Sequence, residues 1–147
     1  MFKRILVVFL LIISFSCEIP EGLSSVSGVE GVIQFTGEWP GELEAVALLA
    51  LDELEFDDLA DHLITYSAPI SKNTSDDIYY FLQLNPGRYF LSTIGLTVKP
   101  SLLAANLDSF LQAPDVPIII LDDLQTISRA VFIQSGSIEI INRQVNF

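Results

Sequence analysis

From Val29 to Phe147 the chain repeats one pattern: a short apolar or alternating run, then turn-forming residues, then another run. Val29 to Thr36 sets Val29, Gly31, Ile33 and Phe35 against Glu30, Val32, Gln34 and Thr36. That period of two gives a strand one face to bury and one to leave in water. Gly37-Glu38-Trp39-Pro40-Gly41 interrupts it as a loop. Leu43 to Leu51 is apolar except for Glu44, and by periodicity alone it is either a buried strand or a helix.

Leu63 to Ile70 and Asp77 to Leu84 are further strand candidates, the second rich in residues that suit a pleated surface (Ile78, Tyr79, Tyr80, Phe81). Asn85-Pro86-Gly87 is strong turn punctuation, and Arg88 to Leu96 returns as the second arm of a predicted hairpin. Leu103, Leu107, Phe110 and Leu111 have helical spacing after Pro100-Ser101, which places one short helix over Leu102 to Leu111 in a long connection. Ile118 to Leu121, Ile127 to Ile133 and Ser137 to Phe147 complete the series, the last two joined at Ser135-Gly136. The expectation is an all-β, antiparallel β-sandwich of about seven strands, a single domain over residues 28–147.

The first residues obey a different rule. Lys3 and Arg4 precede an unbroken apolar run from Ile5 to Ile13, and Ser14-Phe15-Ser16 leads into Cys17, the one cysteine of the chain. This order is that of a secretory signal peptide over residues 1–16. The apolar run is far short of the roughly 20 residues a membrane-spanning helix needs. A lone cysteine has no disulfide partner in an exported protein, and its place after a small residue resembles the bacterial lipobox, in which the thiol is acylated and becomes the new N-terminus. That resemblance implies Cys17 as a lipidation site and a lipid anchor in the membrane of the cell envelope. Glu18, where an aspartate would signal inner-membrane retention, points to the outer membrane. Residues 17–27, with Pro, Gly and three serines, read as a tether between lipid and domain.

Charge narrows the partners. Loss of Lys3 and Arg4 with the leader leaves five cations against nineteen acids, a net charge of about −14. Such a field repels nucleic acid, whose binding requires Lys or Arg at the phosphates. Half of the chain is apolar, which is enough for a real core and excludes disorder.

The stretch Tyr80-Phe81-Leu82-Gln83-Leu84-Asn85-Pro86-Gly87-Arg88-Tyr89 sets an aromatic strand before Leu-x-Pro-Gly-x-Tyr. It resembles the carboxypeptidase regulatory-like, or transthyretin (prealbumin)-like, β-sandwich family. Leu84 would point into the core, Pro86 and Gly87 would supply the turn, and Tyr89 would pack back across the hairpin. The opening and closing strands are similar to those of small bacterial lipoproteins of that type. The resemblance implies a domain that accompanies peptidases, receptors or adhesins without doing chemistry.

Candidate sites are few. Asp52 to His62 holds six carboxylates and the one histidine within eleven residues. Asp52, Asp57, Asp58 and Asp61 are candidate calcium ligands, but they lack the alternation and central glycine of an EF-hand loop. The preferred reading is a solvated turn, with Leu51, Leu54, Leu59 and Leu63 along its apolar side. His62 has no companion His or Cys, and no serine stands in a nucleophile elbow, so no enzyme site and no cofactor are expected. Trp39 either closes the end of the sandwich, the preferred reading, or stacks on sugar rings. Tyr79 and Tyr80 must face opposite sides of their strand, so one of them is a candidate contact beside Trp39 for a protein or glycan. The expected function is a non-catalytic envelope lipoprotein presenting a protein-interaction module, with 52–62 and 98–116 as its contact loops. The alternative is a carbohydrate-binding module using Trp39 and an exposed tyrosine. Its partners would be the membrane through the lipid and an envelope protein or polysaccharide.

Overall fold

The computed structural model describes residues 25–55, 59–74, 77–103 and 118–147. The chain runs through β1 (Gly28–Thr36), β2 (Ala45–Leu51), a one-turn helix α1 (Leu59–His62), β3 (Leu63–Tyr66) and β4 (Ile70–Ser71). It continues through β5 (Ile78–Gln83), β6 (Gly87–Leu96), α2 (Pro100–Leu103) and β7 (Ile118–Ile120). α3 (Leu124–Ile127), β8 (Ala130–Ile133), β9 (Ile138–Ile140) and β10 (Arg143–Asn146) complete it.

These segments form two sheets. In the first, β1 is central, with β5 antiparallel on one side and β9 and β10 parallel on the other. In the second, β2 and β6 form the antiparallel centre; β3 and β4 share the outer side of β2, and β7 and β8 share the outer side of β6. Counted as positions across each sheet, the ten segments fill three places in one and four in the other, the seven-stranded sandwich expected from the sequence. Pairing is antiparallel except between β1 and the β9–β10 position.

Three of the outer positions are broken, each for a local reason. β9 and β10 keep one register along β1, from Gly28 opposite Ile138 to Ile33 opposite Arg143. Between them the Ile141 N–H donates to the Glu30 carbonyl at 2.8 Å, and Asn142 Oδ1 accepts from Val32 N–H at 3.0 Å. Gly31 permits this approach: a Cβ there would sit 2.0 Å from the Ile141 carbonyl oxygen. β3 and β4 are separated by Ser67-Ala68-Pro69, where proline cannot donate to a ladder. Ser67 compensates, its N–H donating to Leu48 O at 2.8 Å and its hydroxyl accepting from Leu48 N–H at 3.0 Å. β7 and β8 differ by six residues in register on β6, because residues 121–129, α3 among them, pass only positions 91–93 of β6. Asp123 caps α3 by accepting from Thr126 N–H at 2.7 Å.

The core explains why the two central strands read differently. β1 alternates because only one of its faces is buried, with Val29 and Ile33 inward. β2 is buried throughout, which settles the helix-or-strand alternative and accounts for its continuous apolar run. Leu48 and Ala50 join Val29, Leu82, Leu91 and Val145 between the sheets. Ala45, Ala47, Leu49 and Leu51 turn to the opposite face, where Ile94 and Leu96 of β6 lie beside them and Leu59 joins the same cluster. Each fully buried leucine contributes about 1.5–3 kcal/mol from its removal from water.

The predicted hairpin at Asn85-Pro86-Gly87 is corrected. β5 belongs to the first sheet and β6 to the second, so this turn carries the chain from one sheet to the other. Turn chemistry encodes a reversal but not its plane; β1 claims β5 and β2 claims β6. Tyr89 packs over the arch, its hydroxyl donating to Asn85 O at 3.0 Å and its ring lying against Gly87. α2 overlaps the start of the helix expected over Leu102 to Leu111, and residues 104–117 lie outside the described residues.

Candidate functional site

The outward face of the first sheet carries large apolar side chains in water. Register places Phe81 beside Glu30 and Tyr79 beside Val32 on one flank of β1, and Ile140 beside Glu30 on the other. Tyr79 is 63% exposed, Phe81 38%, Ile138 44% and Ile140 72%. Alternation along β5 produces this arrangement, because Tyr80 and Leu82 take the core-facing positions. The Tyr79 hydroxyl donates to Glu30 Oε2 at 2.6 Å. That bond to a carboxylate, with some desolvation and the charge of Glu30, raises the phenol above its ordinary value. The bond ties the end of the Tyr79 side chain to Glu30 across the face. Exposed apolar groups gathered on one sheet face make it a candidate contact surface.

Beside this face lies a groove of about 420 Å³ between β5 and the β3–β4 position of the second sheet, lined by Tyr66, Pro69, Ile70, Ile78, Tyr79 and Phe81 among others. Just before β5, Asp77 accepts from Gln34 Nε2 through both carboxylate oxygens at 3.1 Å. A second groove of about 740 Å³ runs on the far side between β8 and β9, with Arg129, Phe132, Glu139 and Ile140 in its lining.

The residues singled out in the sequence separate in space. Trp39 is half-buried and packs at a tilt against Phe35 (centroids 4.9 Å apart) and Phe147 (4.7 Å), closing the end of the sandwich. Phe35 shares the core-facing parity of Ile33, whereas Tyr79 stands on the outward face, so Trp39 and Tyr79 belong to different surfaces. Tyr80 is 4% exposed, a core residue whose hydroxyl donates to Ile141 O at 2.5 Å. Burial, chiefly, pushes its phenol up to about 12.

In the acidic segment, Leu59 is buried and anchors α1, and Asp52 and Glu53 are exposed. His62 Nδ1 lies 3.0 Å from Asp52 Oδ1 and Nε2 lies 3.8 Å from Glu55. The Asp52 bond outweighs desolvation and raises the imidazole above 6.5, with the charges of Asp52, Glu53 and Glu55 adding to it. Among the described residues no three metal-ligating side chains converge. Asp57 and Asp58 lie outside them, as does Cys17.

One constellation was not singled out from the sequence. Arg143 and Asp122 are buried together between the sheets, their side chains 7% and 5% exposed. Arg143 Nη2 donates to Leu91 O at 3.1 Å, and Asp122 accepts from Thr93 N–H at 2.7 Å. The signal was present: Arg143 shares the parity of Val145 in the last strand, a charge at a core-facing position. No family model, no curated protein and no solved structure matches this chain.

Proposed function

We propose that this chain is a lipid-anchored protein of the bacterial cell envelope that presents a non-catalytic, prealbumin-like β-sandwich as a protein-interaction module. The observation that carries the reading is the outward face of the first sheet, where Tyr79, Phe81, Ile138 and Ile140 stand exposed across three strand positions. The N-terminal sequence supports the anchor. Acylation at Cys17 would fix the molecule at the outer membrane, and residues 18–27 would give the domain reach. The arch at Asn85-Pro86-Gly87 with Tyr89 folded over it supports the resemblance to that family. The sugar-stacking alternative loses support, since Trp39 spends its ring on Phe35 and Phe147.

Membrane fractionation of cells expressing the full chain, with mass analysis of the N-terminal peptide, tests the anchor. The parent is expected in the membrane fraction with an acylated Cys17, and Cys17→Ala in the soluble fraction. A soluble parent with an unmodified cysteine contradicts it.

A further inference from the structure

Four strand positions border the two sheets, and only one of them is unbroken. The β3–β4 edge is cut by Ser67-Ala68-Pro69, the β7–β8 edge by α3, and the β9–β10 edge at Ile141-Asn142. Such interruptions prevent an edge from templating another strand. β5 has none: Ile78-Tyr79-Tyr80-Phe81-Leu82-Gln83 contains no proline, no charge and no bulge, and its register with β1 is continuous over all six residues.

The direction of its free backbone groups follows from one bond. The Leu84 N–H donates to Ser27 O at 3.0 Å, so Leu84 turns its backbone groups toward β1, and by alternation so do Leu82 and Tyr80. Tyr79, Phe81 and Gln83 therefore turn their N–H and C=O groups away from β1, and among the described residues no strand pairs with them. The 420 Å³ groove opens directly beneath this edge.

We infer that β5 is a strand-addition site for an extended, non-acidic polypeptide segment with apolar side chains at alternate positions. Backbone bonds to Tyr79, Phe81 and Gln83 would hold the guest, one row of its side chains would fill the groove, and the other would lie beside Tyr79 and Phe81. Two observations decide against a second copy of this chain. The core-facing residues of β5, Tyr80 and Leu82, are already buried in their own sandwich and have nothing to place in a neighbour's groove. Two copies would also bring together chains of net charge −12 each, or more once the leader is removed. A guest carrying lysine or arginine meets the opposite situation, with Glu30 and Asp77 near the site. The inference deepens the interaction-module reading and rests on it, but it does not depend on the anchor.

The test uses the full chain in detergent and a labelled peptide alternating valine with lysine and threonine. Binding is followed by fluorescence anisotropy and by amide hydrogen exchange. Binding is expected, with slowed exchange at Tyr79, Phe81 and Gln83. The same peptide N-methylated at the residues facing β5 should bind about tenfold more weakly or worse, the loss of one or two hydrogen bonds. A version with glutamate in place of lysine should weaken similarly. Phe81→Pro removes one edge N–H; should it fail to fold, Tyr79→Lys, an exposed position, places a like charge beside the basic guest. No binding, equal binding of the methylated peptide, protection elsewhere, or protection of the same amides by self-association without peptide overturns the inference. Because acylation plays no part in this assay, its failure leaves the anchor standing, and failure of the fractionation leaves this site standing.

Discussion

Arg143 Nη2 donates to the carbonyl oxygen of Leu91 at 3.1 Å, joining the last strand of one sheet to a central strand of the other. The charge that permits this bond is matched by Asp122, 3.7 Å from Nη1 and itself held by the Thr93 N–H. Arg143 Nε has no hydrogen-bond partner among the described residues, so the pair is not fully satisfied. Arg143→Met keeps most of the volume but strands Asp122 as a buried charge, and is expected to cost about 3–5 kcal/mol in urea denaturation. Adding Asp122→Asn removes that charge and should recover much of the loss. A single variant as stable as the parent contradicts the account.

Tyr80 gives the same region a second readout. Its phenol is pushed up to about 12, mainly by burial, with Arg143 working against the shift and Asp122 adding to it. A raised pKa means the neutral form is favoured by folding. Its contribution to stability is complete below the unfolded value near 10 and is lost as pH rises from there through about 12. Difference absorbance at alkaline pH should show an ionisation step near 12 that is missing in Tyr80→Phe. If Tyr80→Phe instead removed a step near 10, the ordinary phenol value, Tyr80 would stand in water.

His62 should titrate above 6.5, because its Nδ1 is bonded to Asp52 at 3.0 Å. The contribution of this contact is present in full below 6.5 and declines as pH rises through the folded-state value. NMR titration of the imidazole protons measures it directly. Asp52→Asn is expected to lower the value; an unchanged titration would show that the contact is not formed.

Gly31 and Gly41 form a matched pair. A Cβ at Gly31 meets the Ile141 carbonyl oxygen at 2.0 Å, whereas one at Gly41 meets nothing within 4 Å. Gly31→Ala should cost about 1–3 kcal/mol by forcing β9 and β10 off β1, and Gly41→Ala should stay within about 0.5 kcal/mol of the parent. Equal thermal midpoints for the two variants would contradict the parallel pairing of the last strands.

What the sequence disclosed follows from what periodicity measures. The alternation of Val29 to Thr36 reported a strand buried on one face, and it is one. The unbroken run Ala45–Leu51 reported burial but not geometry, since a strand covered on both faces and a buried helix share the same composition. Asn85-Pro86-Gly87 marked a reversal, yet which sheet each arm joins depends on β1 and β2, far away in the sequence. Breaks in the edges were hidden for the same reason: Ser67 substitutes its hydroxyl for a ladder group only once Leu48 lies opposite. The face of Tyr79 was legible as one of two alternatives, and burial of Tyr80 chose between them. The sequence favoured Trp39 at the end of the sandwich but could not name Phe147, its partner from the other end of the chain.

The central claim, a protein-interaction module that uses the open edge and face of the first sheet, is tested most directly by photo-crosslinking in cells that produce the full chain. A benzophenone amino acid would replace Tyr79 in one strain and Phe132, equally exposed but on the β8 edge, in another. The account expects a discrete adduct from position 79, whose crosslinked peptide is extended and non-acidic with alternating apolar residues, and no such adduct from position 132. The same capture from both positions, capture of a second copy alone, or no adduct from position 79 would contradict it.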